Sequence, residues 1–241
     1  MKYTDVISVL NKKASKNKAK LLMRFFKTGE GQYGEGDVFL GVTMPEERKV
    51  AKEFTDLPIG EVKKLLKSKY HECRMVALLI LIQKYKSYSV AKPASAKGYG
   101  EVKHIFDVYV LNTKYINNWD LVDLSAPNIV GSYLSDKPRD ILYKFAKSKS
   151  LWERRISVIS TSYFIRQNDF KDTLKIAEIL LPDKHDLIHK AVGWMLREVG
   201  KKNERVLCKF LDKNLTKMSR TALRYSIERF PEESRQYYLK K

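Results

Sequence analysis

The sequence is poor in cysteine and in acid, and it lacks long apolar runs. Its 241 residues contain only two cysteines, Cys73 and Cys208, with no C-x-x-C and no metal-ligand spacing around either. That excludes a disulfide scaffold and a zinc site, and it leaves no metal to expect. The longest apolar stretch, Met75 to Ile82, is far too short to span a bilayer, so no membrane partner is expected. The segment Met1-Lys-Tyr-Thr-Asp-Val lacks the apolar core of a signal peptide. A reduced, cytoplasmic protein is expected, associated with the nucleoid in a prokaryote. Acids number 28 against 47 lysines and arginines, giving a formal charge of +19 and an isoelectric point near 9.7. So large an excess points to a polyanionic partner, nucleic acid by default, although lysines scattered over a solvated surface give the same total.

Glycine is scarce as well, and its distribution is informative. Four of the 11 glycines fall between Gly29 and Gly36, marking Lys27–Asp37 as a loop. No Lys-Ser/Thr follows it and no strand pattern precedes it, which argues against a nucleotide-binding phosphate loop. Ser87 to Gly100, with Pro93, Gly98 and Gly100, reads as a second long loop.

Almost everything else has helical periodicity. Helices are expected over 5–10, 18–26, 43–54, 57–67, 71–85, 101–111, 119–134, 138–148, 151–166, 170–180, 186–199, 203–211 and 219–230. Thr43 suits an N-cap, Pro45 a first turn, and Glu46 and Glu47 the helix dipole. Met75, Leu78, Leu79 and Ile82 form an apolar stripe, and Pro127 should kink or split its helix. No strand-and-turn pattern competes. Trp119, Trp152 and Trp194 recur at a spacing typical of HEAT-like repeats. The fold class is therefore all-α, an α-α superhelix of HEAT-like repeats in one domain spanning 1–241, with a concave basic face.

Chemistry concentrates in Asn118-Trp119-Asp120-Leu121-Val122-Asp123. Asn117 or Asn118 can cap the helix, and Asp120 falls in the first turn, where a negative charge is ordinary. Asp123 is beyond that turn and shares a face with Trp119. Taken alone, the pair reads as a core tryptophan and a surface acid. Two further stretches change the weighing: Leu151-Trp152-Glu-Arg-Arg155-Ile and Lys190-Ala-Val-Gly-Trp194-Met-Leu-Arg197-Glu198.

With Phe39-Leu-Gly-Val-Thr-Met-Pro45 upstream and Ser219-Arg220-Thr-Ala-Leu-Arg224 downstream, this ordered set resembles the DNA alkylation repair family of HEAT-like-repeat (AlkD-like) glycosylases. The resemblance covers nearly the whole chain and implies excision of cationic alkylpurines, such as 3-methyladenine and 7-methylguanine, from duplex DNA without base flipping. It implies Asp123, Trp119 and Trp194 as the catalytic set and Arg155 as the grip on the lesion-side phosphate. No cofactor is implied, and a monomer is expected. The chemistry suits those residues. An alkylated purine leaves without a general acid, a carboxylate can stabilise the oxocarbenium-like sugar, and indole faces attract cationic groups. Arginine holds a phosphate bidentately. Trp152 reads as structural, and His71, His104, His185 and His189 carry no motif.

Lys190, Arg197, Arg220 and Arg224, with Lys184, Lys201, Lys202, Lys213 and Lys217, suggest a phosphate track, and salt bridges can use the same residues. The Gly-rich segment departs from the family, which places a DNA-gripping helix in this region. Here four glycines oppose a helix, and Glu30, Glu35 and Asp37 repel phosphate, leaving Lys27 and Tyr33 as DNA-facing candidates. Three readings follow: an active alkylpurine glycosylase, a related DNA-binding protein with weak or no excision, and a HEAT-type protein scaffold.

Overall fold

The computed structural model describes residues 1–91 and 96–241, with side chains described for 1–89 and 100–241. The described residues are helical apart from turns and one isolated bridge between Val38 and Tyr70. They form two compact units, Met1–Ser125 and Ala126–Lys241.

The first unit contains α1 (Tyr3–Lys12), α2 (Lys16–Phe25), α3 (Met44–Glu53), α4 (Ile59–Leu66), α5 (His71–Ala91), α6 (Ala96–Val110) and all but the last residue of α7 (Trp119–Ala126). Helix α5 is its axis and packs against α1, α3, α4 and α6. The sequence showed one apolar stripe here, yet every residue from His71 to Ile82 is buried. A helix surrounded by other helices has no solvent face, so its polar residues must find partners inside. The expected loop at 87–100 is partly helix: Ser87–Ala91 close α5, Ala96–Gly100 open α6, and Pro93 lies outside the described residues.

The second unit begins with Ala126 and a π turn, Pro127–Gly131, where proline's missing N–H interrupts the α pattern. It continues with α8 (Asp140–Ala146), α9 (Leu151–Ser160), α10 (Ser162–Arg166), α11 (Lys171–Leu180), α12 (Asp186–Lys202), α13 (Glu204–Asn214), α14 (Arg220–Ser226) and α15 (Glu232–Lys240). The helix expected over 151–166 is thus two, broken at Thr161, and α15 was not anticipated. Helix α12 is the hub, touching α9, α11, α13 and α14. Its approach to α14 depends on Gly193: a Cβ there would lie 2.5 Å from the Ala222 carbonyl oxygen.

Capping follows sequence chemistry. Ser150, Asn203 and Ser219 each accept from a backbone N–H in the first turn of α9, α13 and α14. The opposite helix ends are closed by a recurring clasp. Arg74 of α5 donates to the carbonyls of Ser68 and Lys69, at 3.0 and 3.2 Å, just beyond α4. Arg154 of α9 donates to the carbonyls of Ser148 and Lys149, at 3.0 and 2.9 Å, just beyond α8. The two stretches share Lys64, Lys67, Ser68, Lys69 and Arg74 with Lys144, Lys147, Ser148, Lys149 and Arg154. At the third junction His189 of α12 contacts the Asp183 carbonyl at 2.5 Å, just beyond α11. A guanidinium or imidazole from the next helix thus takes up carbonyls of the turn that follows each helix end.

Candidate nucleic-acid interface

Asn118 settles how α7 begins. It is fully buried, its side-chain oxygen accepts from the Trp119 N–H at 2.8 Å, and its amide donates to Asp37 at 3.4 Å. Trp119 therefore leaves a fixed base. Its ring stacks on Phe26 with centroids 5.3 Å apart and meets Phe25 edge-on at 6.0 Å. The indole N–H donates to the Tyr33 hydroxyl at 3.3 Å. Ala19, Phe26 and Phe39 form the small apolar cluster that Trp119 covers together with Leu22 and Met23. Asp123, half-buried one turn further on, shares Trp119's helix face. Behind it, burial and the charge of Asp123 raise the pKa of Tyr109, against the hydrogen bond it makes with Ser125 at 2.9 Å.

The Gly-rich segment is not helical, as expected, but it is built. Hydrogen bonds from Gly34 N–H to the Lys27 carbonyl and from Asp37 N–H to the Gly34 carbonyl, 3.1 and 3.0 Å, close successive turns. Tyr33 points back to Trp119. Asp37 does not present its charge outward. It is 5 % exposed, 3.0 Å from His71 Nδ1, and paired with Arg74. Asp120 likewise exceeds the dipole role read from sequence: it is 2.8 Å from His71 Nε2.

This Asp37–His71–Asp120 bridge is the main feature that sequence reading missed. Burial opposes a charge on His71, but Asp120 and Asp37 outweigh it and push the imidazole up to about 9. Asp37 responds in the other direction: burial alone would raise its pKa, and His71 and Arg74 together hold it lowered.

In the second unit Trp194 is half-buried on α12, its indole N–H 3.2 Å from Glu198. Glu198 also pairs with Lys201 at 2.7 Å and approaches Arg197 at 3.6 Å. Arg197 pairs in turn with Glu228, and Lys190 with Asp186 at 2.8 Å. Arg155 is 5 % exposed and donates to the Leu187 carbonyl at 2.5 Å, whereas its neighbour Arg154 pairs with Asp183 at 2.6 Å. Arg220 and Arg224 are exposed, Arg220 donating to the Leu239 carbonyl at 2.8 Å. The structure thus joins Trp119 with Tyr33 in one unit, and lines Lys190, Trp194 and Arg197 along one helix of the other.

A family model described as DNA alkylation repair enzyme matches residues 6–230. The chain belongs to that family. A solved structure titled as a predicted DNA alkylation repair enzyme from Enterococcus faecalis is similar over 91 % of this chain and 98 % of its own, with a TM-score of 0.71. At 19 % identity that likeness establishes the shared fold. No curated protein matches the sequence.

Within this DNA alkylation repair enzyme fold, one surface escaped the sequence reading. Helix α2 exposes Leu21 and Phe25, 67 % and 62 %, beside Trp119 and among exposed Lys18, Lys20 and Arg24. The four-residue spacing of Leu21 and Phe25 was legible, but it resembled an ordinary core stripe. An exposed apolar ridge flanked by cations suits contact with nucleic acid, the cations on phosphates and the ridge against sugar and base edges.

Proposed function

We propose that this member of the DNA alkylation repair family binds duplex DNA as a monomer and hydrolyses the N-glycosidic bond of cationic alkylpurines, such as 3-methyladenine and 7-methylguanine, without flipping the base. The bond's electron pair leaves with the purine and neutralises its charge. Positive charge then develops on the sugar, and Asp123 stabilises it. Water adds to the sugar carbon and gives up its proton, leaving an abasic site and a free base. Trp119 and Trp194 are the other two members of the proposed catalytic set, each an indole whose face attracts cationic groups. Lys190, Arg197, Arg220 and Arg224 hold phosphates, and α2 adds Lys20, Arg24 and the Leu21–Phe25 ridge. The chemistry needs no cofactor.

The observation that supports this reading best is on α7. Trp119 is held by Phe26 and Tyr33, and Asp123 stands half-exposed on the same face. A carboxylate fixed before the reaction spends little reorganisation when charge appears. The test is release of 7-methylguanine and 3-methyladenine from methylated duplex DNA by the wild type and by Asp123→Asn. Release should fall by about a hundredfold or more in the variant. Release that survives the substitution removes Asp123 from the mechanism.

A second reading, DNA binding without excision, draws on Arg155, whose guanidinium is buried and bonded to the Leu187 carbonyl. Salt-sensitive duplex binding with no release above the spontaneous rate is its signature.

A further inference from the structure

A cavity of about 350 Å³ lies in the first unit between α2, α3, α5 and the start of α7. Its walls are Leu21, Leu22, Phe26, Phe39, Val42 and Met44, and it is edged by the exposed Lys18 and Thr43. That size and apolar lining are those of a small-molecule site.

Three acids line its polar end, a fourth, Asp37, is bonded to the lining His71, and three of the four are satisfied. Glu72 accepts the backbone N–H groups of Leu40, Gly41 and Val42 at 2.7–3.3 Å. Asp37 is held by His71, Arg74 and Asn118. Asp120 is held by His71 and by the Leu121 N–H. Glu47, on α3, is the exception. It is 5 % exposed, it lines the cavity, and its Oε2 is buried with no hydrogen-bond partner among the described residues. By sequence Glu47 has a helix-dipole role, and it does lie in the first turn of α3, where the fold turns its side chain inward.

A buried acid without a donor is costly unless a ligand supplies one. Its surroundings set the sign of that ligand. Glu72 and Asp120 face it from α5 and α7, opposed by His71 and by Arg48 of its own helix, with Lys18 at the rim. His71 is committed to Asp37 and Asp120. Arg48 and Lys18 are exposed, so among the buried and half-buried groups four acids, Asp37, Glu47, Glu72 and Asp120, stand against two cations, His71 and Arg74. No three His, Cys, Asp or Glu side chains among the described residues converge as metal ligands.

We propose that this cavity binds a small organic cation, an aryl- or alkylammonium, whose N–H donates to Glu47 and whose apolar body packs against Phe26, Phe39, Val42 and Met44.

Burial, and then the charge of Glu72, raise the Glu47 carboxyl to about 8 in the free protein. An ammonium binds the ionised form, so its entry releases a proton. Affinity therefore rises about tenfold per pH unit below about pH 8 and levels off above it. His71 keeps its charge over most of that range.

The experiment is calorimetric titration of the full chain with phenethylammonium, from about pH 6 to about pH 8.5. Phenylethanol and phenylacetate serve as the neutral and anionic counterparts. The wild type should prefer the ammonium at pH 8 by at least tenfold and should bind it more tightly as pH rises. Glu47→Gln should lose at least tenfold in affinity, and the pH dependence with it. It removes a buried acid and should fold at least as well as the wild type. Met44→Trp, which fills the cavity, should abolish binding. The inference fails if no ammonium binds, if phenylacetate binds as well as phenethylammonium, or if Glu47→Gln binds like the wild type. Because the readout is binding without DNA, its failure leaves the glycosylase reading untouched.

Discussion

The indole N–H of Trp119 donates to the hydroxyl of Tyr33, joining the head of α7 to the Gly-rich turns across 3.3 Å. The two residues belong to distant stretches of sequence, one marked for catalysis and the other for groove contact. The bond means that the loop positions the tryptophan, whatever else it contacts.

Tyr33→Phe should therefore cost a modest amount of stability, about 0.5–1.5 kcal/mol, because the indole N–H is only half-buried and water can replace the hydroxyl. The stacking on Phe26 remains. Urea denaturation measures the loss, and tryptophan emission should shift toward the exposed range. An unchanged midpoint and spectrum would show that the loop does not hold the ring.

His71→Gln should be far more damaging. It removes a buried cation from between two carboxylates, and breaking a buried pair costs about 3–5 kcal/mol. The folded-state pKa of His71 is raised to about 9, so the stability it contributes is complete below its ordinary value near 6.5 and is lost as pH rises through 9. The gap between variant and wild type should thus be widest at or below neutral pH and narrow above about pH 9. Thermal melting across that range would show it.

Glu47→Gln should give the opposite result. A carboxyl raised from 4.5 to about 8 binds a proton in the folded state that the unfolded chain has released. Wild-type stability therefore falls as pH climbs between those values, by roughly 3–5 kcal/mol in total. The glutamine variant should match the wild type at acid pH and exceed it at pH 8 and above. Parallel curves for the two proteins would contradict the buried position of the acid.

Arg154→Met tests the clasp. It frees the carbonyls of Ser148 and Lys149 and takes the ion-pair partner from Asp183, which keeps its bond from the His185 N–H. The junction is partly exposed, so the expected cost is about 1–3 kcal/mol. Arg154→Lys should recover only part of it, since an ammonium can meet Asp183 but does not span two carbonyls with a rigid fork. Equilibrium denaturation of both variants would rank them.

The helices were legible because amphipathic spacing is local, whereas caps were less so: Thr43 precedes α3 without a side-chain cap bond, and Ser150, Asn203 and Ser219, none of them expected as a cap, accept from first-turn N–H groups. Boundaries failed where packing decides. Nothing local shows that Thr161 separates α9 from α10, or that α5 runs on through Ser87 to Ala91. At the candidate site the same division holds. Trp119 and Asp123 could be placed on one face from spacing alone. The ties of Asp37 to His71 and of Tyr33 to Trp119 join segments far apart in the chain, and no periodicity records them. Glu46 and Glu47 are adjacent and chemically alike, yet one pairs with Lys13 and Lys49 at the surface while the other is buried. Only the direction in which the helix is turned separates them.

Glu72 gathers three consecutive N–H groups at the exit of the Gly-rich turns. Gly41, at φ +82°, lies so close to Ser15 that a Cβ would fall 2.1 Å from its carbonyl oxygen. At the entry, α2 is anchored through Phe26. A segment pinned this firmly at both ends behaves as a cassette. Doubling the length between the pins would cost only about 0.6 kcal/mol in closure entropy. The protein can exchange what lies between Lys27 and Asp37 for a longer or shorter insert and so retune what rests on Trp119, while the helices that carry it keep their places.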